Sequence, residues 1–217
     1  MPLLPIFPLG TVLFPSSALP LHIFEERYKL MIASCLERDE PFGVALIKEG
    51  VEAGGPAIPC EIGTTARITR VERLADGRMN IVTIGGRRFR ILALDHRKPY
   101  LQAEVEYIER TEDPEADAPI AARVCELFSA YYRATLALNE QWTRRVELPQ
   151  RPAVLADFIG GRLDIAEQTV RQDLLAAPTV RECLEREADL IAERLAGRRA
   201  QVLAMYRQRY GVLGALN

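Results

Sequence analysis

Polar and apolar residues alternate along two stretches of the first half of the chain. Phe89, Ile91 and Ala93 stand against Arg88, Arg90 and Leu92, and Leu101, Ala103, Val105 and Tyr107 stand against Gln102, Glu104 and Glu106. A period of two puts each set on one face of a strand. Asp76-Gly77 separates two β-rich runs, Thr65 to Leu74 and Met79 to Ile84, and predicts a tight hairpin. Gly85-Gly86 predicts a bend or bulge before the next strand. One helix interrupts this half. From Glu25 to about Arg38 the apolar positions Tyr28, Met31, Ile32 and Cys35 recur at helical spacing. Glu25 and Glu26 stand in its first turn, where the helix dipole favours negative charge.

The pattern changes at Thr111–Pro119, which is acidic, proline-containing and poor in apolar residues, and reads as a linker. The rest is helical: Ile120 to about Leu138, then Ala153 to Ile159 ending at Gly160-Gly161, then a long helix from Val180 past Tyr206. Asp164 with Glu167, and Thr179 with Glu182, have the spacing of capping boxes. The last helix carries Leu184, Ala188, Ile191, Leu195, Val202 and Tyr206 along one stripe, which suits lengthwise packing on neighbouring helices.

The opening run PIFPLGTVLFPSSALPLHIFEERY, Pro5 to Tyr28 with Pro2 just before it, has prolines at Pro5, Pro8, Pro15 and Pro20 between apolar clusters. Proline fixes its own φ and cannot donate to a ladder, so the run is neither one long strand nor a helix. It predicts short edge pieces joined by rigid turns and feeding the helix at Glu25. These residues, from Phe7-Pro8-Leu9 through Val12–Pro15 to Leu19–Glu25, Arg27 and Tyr28, resemble the N-terminal substrate-recognition domain of the Lon ATP-dependent proteases, in the version found as a free-standing protein. The resemblance continues at Phe42–Gly50, Glu61–Arg78, Gly86–Ile91 and Pro99–Glu109, and in the helical half at Leu155–Ile159, Arg171–Leu184 and Glu193–Leu195. One departure is Ser16-Ser17, where that family has glycine. A turn needing positive φ would fit serine poorly there. The resemblance implies a PUA-like β-barrel followed by a helical bundle, and non-catalytic binding of exposed protein segments.

The chain has 217 residues, 48% hydrophobic and 27% charged, with a net charge of −2. That supports one large or two small globular domains, and no global field that calls for nucleic acid or an anionic membrane. No apolar run approaches the ~18 residues that span a bilayer, and the start of the chain lacks the basic region of a secretory signal. The cysteines Cys35, Cys60, Cys125 and Cys183 are scattered without a CxxC pair, which reads as reduced thiols in a cytoplasmic protein and no metal site.

Chemistry is sparse. There is no GxxxxGK[ST] phosphate loop, and the second half holds Ser129 as its single serine and no lysine. His22, beside Phe24, reads as a structural histidine; pairing it with Cys35 would need a third group to orient the base. Glu25, Glu26 and Arg27 read as a charge-matched helix start. Nine basic residues lie between Arg67 and Lys98, opposed by Glu72, Asp76 and Asp95. They form either a solvated sheet face or a track for phosphates. Phe128, Tyr131, Tyr132 and Trp142 read as helix core, with a peptide groove as the functional alternative.

The reading is an α+β chain, with a β-rich barrel with one helix over residues 1–112 and a helical bundle over 118–217. Its expected function is protein and peptide binding without catalysis, cofactor or metal; the alternative is nucleic-acid binding by the arginine-rich strands. Expected partners are unfolded or exposed protein segments, and possible service to a protease system, with no membrane. The candidate contacts are Leu19, Tyr28, Tyr132 and Trp142. Phe14, Leu21 and Phe24 are expected to be buried.

Overall fold

A computed structural model of the protein describes residues 3–52, 55 and 57–210; Pro2 lies outside them. The elements are β1 (Leu3–Leu9), β2 (Ala18–Ile23), α1 (Glu26–Arg38), β3 (Phe42–Gly50), β4 (Ala57–Pro59), β5 (Ile62–Arg73), β6 (Met79–Asp95), β7 (Gln102–Ile108), α2 (Pro114–Leu138), α3 (Pro152–Gly160), α4 (Gln168–Ala176) and α5 (Val180–Tyr210). This is the expected α+β order. The chain divides into two compact units. One holds the residues up to Arg110 together with Gly160–Ala177; the other holds Thr111–Ile159 and the chain from Pro178 onward.

The first unit is built on a sheet that closes on itself. β1 pairs antiparallel with β7 through Leu3–Pro5 and parallel with β3 through Ile6–Leu9. Since β7, β6, β5 and β3 are successive neighbours, β1 completes a five-strand circuit, with β4 attached to β3. Closure removes the edges that these short strands would otherwise present. β6, at 17 residues, is too long to stay flat in so small a circuit. Its first part lies between β2 and β5, its second between β7 and β5, and register shifts at Thr64/Ala66, Ile68/Arg70 and Ile91/Ala93 let the sheet bend. The hairpin between β5 and β6 forms where expected. Gly77 takes φ 80 and its N–H donates to Leu74 O, while Arg78 N–H donates to the Asp76 carboxylate.

α1 buries Tyr28, Met31, Ile32 and Cys35 against Phe7, Phe42 and Ile81 in the main core, with Phe7 stacked on Tyr28 at 4.0 Å. A smaller core gathers Ile6, Ala45, Phe89, Ala103 and Val105. Ser16 stands at φ 60, so the turn does use the left-handed conformation that glycine would accept more readily.

Gly160–Ala177 corrects the expected contiguous division at residues 112 and 118. Leu163, Ile165, Leu174 and Leu175 are buried, and polar bonds fix the segment within the first unit. Gln172 Nε2 donates to Ile62 O at 2.9 Å, and Val12 N–H donates to Gln168 Oε1 at 3.2 Å. Arg88 and Arg110 donate to the carbonyls of Leu175 and Leu174 at 2.6 and 2.9 Å. These carbonyls lie at the C-terminal end of α4, where helix carbonyls lack intrahelical partners and cations are favoured. Arg88 is therefore a buried structural cation and does not belong to the solvated arginine face.

In the second unit α2 and α5 pack along each other. Val124, Phe128 and Tyr131 are buried from α2, and Leu184, Ala188, Ile191 and Leu195 from α5. Phe158 of α3 meets Phe128 edge-on at 6.3 Å. Thr111 and Thr179 form a parallel bridge just before α2 and α5 begin. The acidic stretch read as a linker is largely the start of α2. Asp113 caps the helix by accepting from Ala116 N–H, Asp117 accepts from Asp113 N–H, and Pro114 opens the first turn. Acid and proline suit a helix N-terminus as well as a linker. Of the two capping boxes, Thr179 accepts from Glu182 N–H as expected. The other does not form: α4 starts at Gln168 with Glu167 at its N-cap and no side-chain cap bond.

Candidate functional site

Strand β2 leaves an open edge on the first unit, as the three-residue β4 does beside β3. Among the described residues β2 pairs with β6 alone, from Ala18↔Ile84 to Ile23↔Met79. Leu19, Leu21 and Ile23 point toward the core, while Ala18, Pro20 and His22 face out. Carrying this alternation one step further puts Phe24 with the outward set, and its side chain is 51% exposed. This corrects the expectation that Phe24 is buried. Phe14 is fully buried as expected, and Leu21 is half-buried. His22 is also at the surface. Its Nδ1 lies 2.7 Å from Asn80 Oδ1 and its ring stacks on Phe24 with centroids 6.0 Å apart.

Three adjoining clefts follow this corner. One of about 410 Å³ runs over Pro20, Leu21, His22, Arg70 and Val82. A second of about 380 Å³ is walled by Phe7, Leu9, Leu21, Phe24 and Tyr28. The third, about 550 Å³, shares Tyr28 with the second and adds Arg27, His96, Lys98, Pro99 and Tyr100. Arg27 Nε donates to Glu25 Oε2 at 3.0 Å, and its guanidinium lies 4.5 Å from the centroid of Tyr28. Burial raises the Tyr28 phenol above its ordinary range, partly opposed by Arg27. The corner is thus apolar and aromatic, and its helix-start charges are matched.

Cys35 is not poised as a nucleophile. Cys35 is buried, and burial pushes its thiol up to about 11, the opposite of what a thiolate nucleophile requires. Among the described residues no group of three or more His, Cys, Asp or Glu side chains is placed to hold a metal. Four of the nine basic residues between Arg67 and Lys98 have an acid partner: Arg78 lies on Asp76, Arg97 on Asp95, Arg90 near Glu106 and Arg67 near Asp39.

The four candidate contacts divide between the units. In the first, Leu19 is half-buried under β2, and Tyr28 is the buried floor of two clefts. In the second, Tyr132 is 41% exposed and stacks on Phe128 at 6.3 Å, and Trp142 is 85% exposed. Trp142 is therefore not core, although Phe128 and Tyr131 are. Sequence reasoning missed Phe24 as a surface residue, and strand parity was the signal that identifies it. It also missed Lys98 and Tyr100, which the fold brings to Tyr28 from a distant part of the chain and which no local pattern marks.

A small sheet closed on itself in one unit and packed helices in the other make this an α+β domain protein of two compact units. The chain belongs to the family of the ATP-dependent protease La (LON) substrate-binding domain, whose model matches residues 3–193. It is 29% identical over 198 residues to a Lon protease of Syntrophus aciditrophicus (strain SB), covering 88% of this chain and 24% of that protein. It is 30% identical over 173 residues to Lon protease 2 of Myxococcus xanthus, covering 75% and 20%. The chain therefore spans about a quarter of the length of these curated relatives. Among solved structures it is similar to a Lon N-terminal domain protein from Xanthomonas campestris, with TM-score 0.63 and 25% identity over 86% of this chain and 96% of that one. The N-terminal domain of a Mycobacterium avium complex Lon protease has the same fold, with TM-score 0.63 at 22% identity, over 88% and 98%.

Proposed function

We propose that this chain binds unfolded or exposed segments of other proteins, without catalysing a reaction on them and without a cofactor. The observation that carries the reading is the half-exposed Phe24, set beside an open strand edge and walling one of the clefts. An exposed aromatic on a fixed corner supplies contact area at low entropy cost. Leu21 and Phe24 make the first contacts, with Leu19 and Tyr28 beneath them. Apolar contact over small clefts gives micromolar or weaker binding once the ordering of a flexible client is counted. Membership of a protease substrate-binding family supports clients passed to a protease system. The free cysteines suit a reducing cytoplasm.

The test is a titration of reduced, carboxymethylated lactalbumin with the intact chain at low and high salt. Binding should persist at high salt, because it does not depend on released counterions, and Phe24→Ala should weaken it several-fold. Loss of binding at high salt with competition by RNA, or unchanged binding by Phe24→Ala, would overturn the proposal.

A further inference from the structure

The connection between α2 and α3, Asn139 to Arg151, has the length at which a structureless link is uncommon and usually functional, ~12–15 residues. It is held in place. Arg133 Nη2 donates to Arg144 O at 3.3 Å, Thr143 Oγ1 donates to Arg145 O at 2.8 Å, and Arg209 pairs with Glu140 at 2.5 Å. On this fixed loop stands Trp142, the single tryptophan of the chain, 85% exposed. Arg144 and Arg145 follow it directly, and Arg133 is tied to the same loop.

Among the described residues Arg133, Arg144 and Arg145 have no ion-pair partner, whereas Glu140 is matched by Arg209 and Glu112 by Arg151. Glu147 is the remaining acid of the loop. The loop is therefore locally cationic in a chain of net charge −2. A cleft of about 450 Å³ adjoins it, lined by Cys125, Ser129, Arg145, Val146, Leu148 and, at its acidic side, Glu147.

From these observations we infer that the Trp142 loop is a docking surface for an acidic polypeptide segment carrying apolar side chains. Exposed tryptophan and arginine are the residue types that dominate binding energy at protein interfaces. The unmatched guanidiniums can donate paired hydrogen bonds to carboxylates, and the cleft beside Val146 and Leu148 takes an apolar side chain. Three arginines with one acid among them make no continuous track for phosphates, and Trp142 is the loop's one stacking ring. A polypeptide therefore fits better than a single-stranded nucleic acid. This surface is independent of the Phe24 corner.

Trp142 reports on its own occupancy. The intact chain is titrated with a synthetic peptide of alternating Glu and Leu, and with a Lys/Leu counterpart of equal length, following tryptophan emission. The acidic peptide should shift the emission to the blue and the basic one should not. By anisotropy of labelled acidic peptide, Arg144→Glu with Arg145→Glu should weaken binding on the order of tenfold or more. Trp142→Ala should weaken it comparably, and both should retain the wild-type melting temperature because these side chains are exposed. Phe24→Ala should leave acidic-peptide binding unchanged, which separates this surface from the client-binding corner. Unmoved emission, equal binding of the basic peptide, full binding by the charge-reversed variant, or tighter binding of oligo-dT would each overturn the inference.

Discussion

Two phenylalanines of the opening run, replaced one at a time by alanine, should have opposite effects. Phe14 is fully buried. An ideal Cβ on Gly160 would come within 2.3 Å of its ring, so the ring fills the space that this glycine leaves. The Arg171 guanidinium lies 5.3 Å from its centroid. Phe14→Ala thus removes a ring that joins the β1–β2 connection to the returning segment, at about 3–5 kcal/mol. Phe24 is half exposed and bears mainly on His22, so Phe24→Ala should cost about 1 kcal/mol, roughly half of what burying a whole Phe ring contributes. At ~2–4 °C per kcal/mol for a chain of this size, the melting temperature should fall by roughly 6–20 °C for Phe14→Ala and roughly 2–4 °C for Phe24→Ala. Far-UV circular dichroism on heating, paired with the lactalbumin titration, reads both properties. Phe24→Ala should fold almost normally and bind poorly. Comparable melting shifts for the two variants would refute this division between core and surface.

Ser16→Gly should leave stability unchanged or raise it by up to about 1 kcal/mol, because φ 60 strains a non-glycine residue; a loss in urea denaturation would show that the serine side chain holds the turn. Native Cys35 should resist thiol reagents at pH 8 and react on unfolding. Its folded thiol titrates at about 11, above the unfolded thiol at ~8.5, so its stabilising contribution is complete below ~8.5 and is lost as pH rises toward 11. Wild type should therefore lose more stability than Cys35→Ala between pH 8 and 10.5, and equal losses would contradict that. Limited digestion with subtilisin should spare Thr111–Pro119, where α2 begins, and a first cut there would show that the stretch is a linker after all; mass spectrometry of the first fragments decides.

Periodicity made the elements legible because it reports local burial. α1 begins within a residue of its expected start, and the Asp76-Gly77 hairpin and the stripe of α5 follow their patterns. Periodicity carries no address for the partner surface, and the misreadings arise there. Leu174 and Leu175 belong to a stripe that must be buried, yet nothing local says that it packs back within the first unit. The parallel β1–β3 pairing that closes the circuit is likewise non-local. Arg88 sits in an alternating strand whose polar face reads as solvated, and only the return of α4 turns that position inward. Phe24 is hydrophobic, but strand parity is the stronger guide to its place. Trp142 was grouped with Phe128 by residue type, although it lies past the end of α2 and outside its helical register.

Pro20 shapes what the open edge can do. An exposed strand invites another chain to pair with it and extend the sheet. Pro20, in register with Val82, removes a donor from the middle of β2, so an added strand would find a broken ladder. Recognition at this corner then rests less on backbone pairing than on side-chain contact with Leu21, Phe24 and the adjoining clefts. Backbone pairing would be tight and prone to propagate into aggregates of unfolded clients, whereas side-chain contact is weak, tolerant of sequence and self-limiting. An edge that stays open while one proline interrupts it fits the proposed weak, reversible holding of unfolded segments.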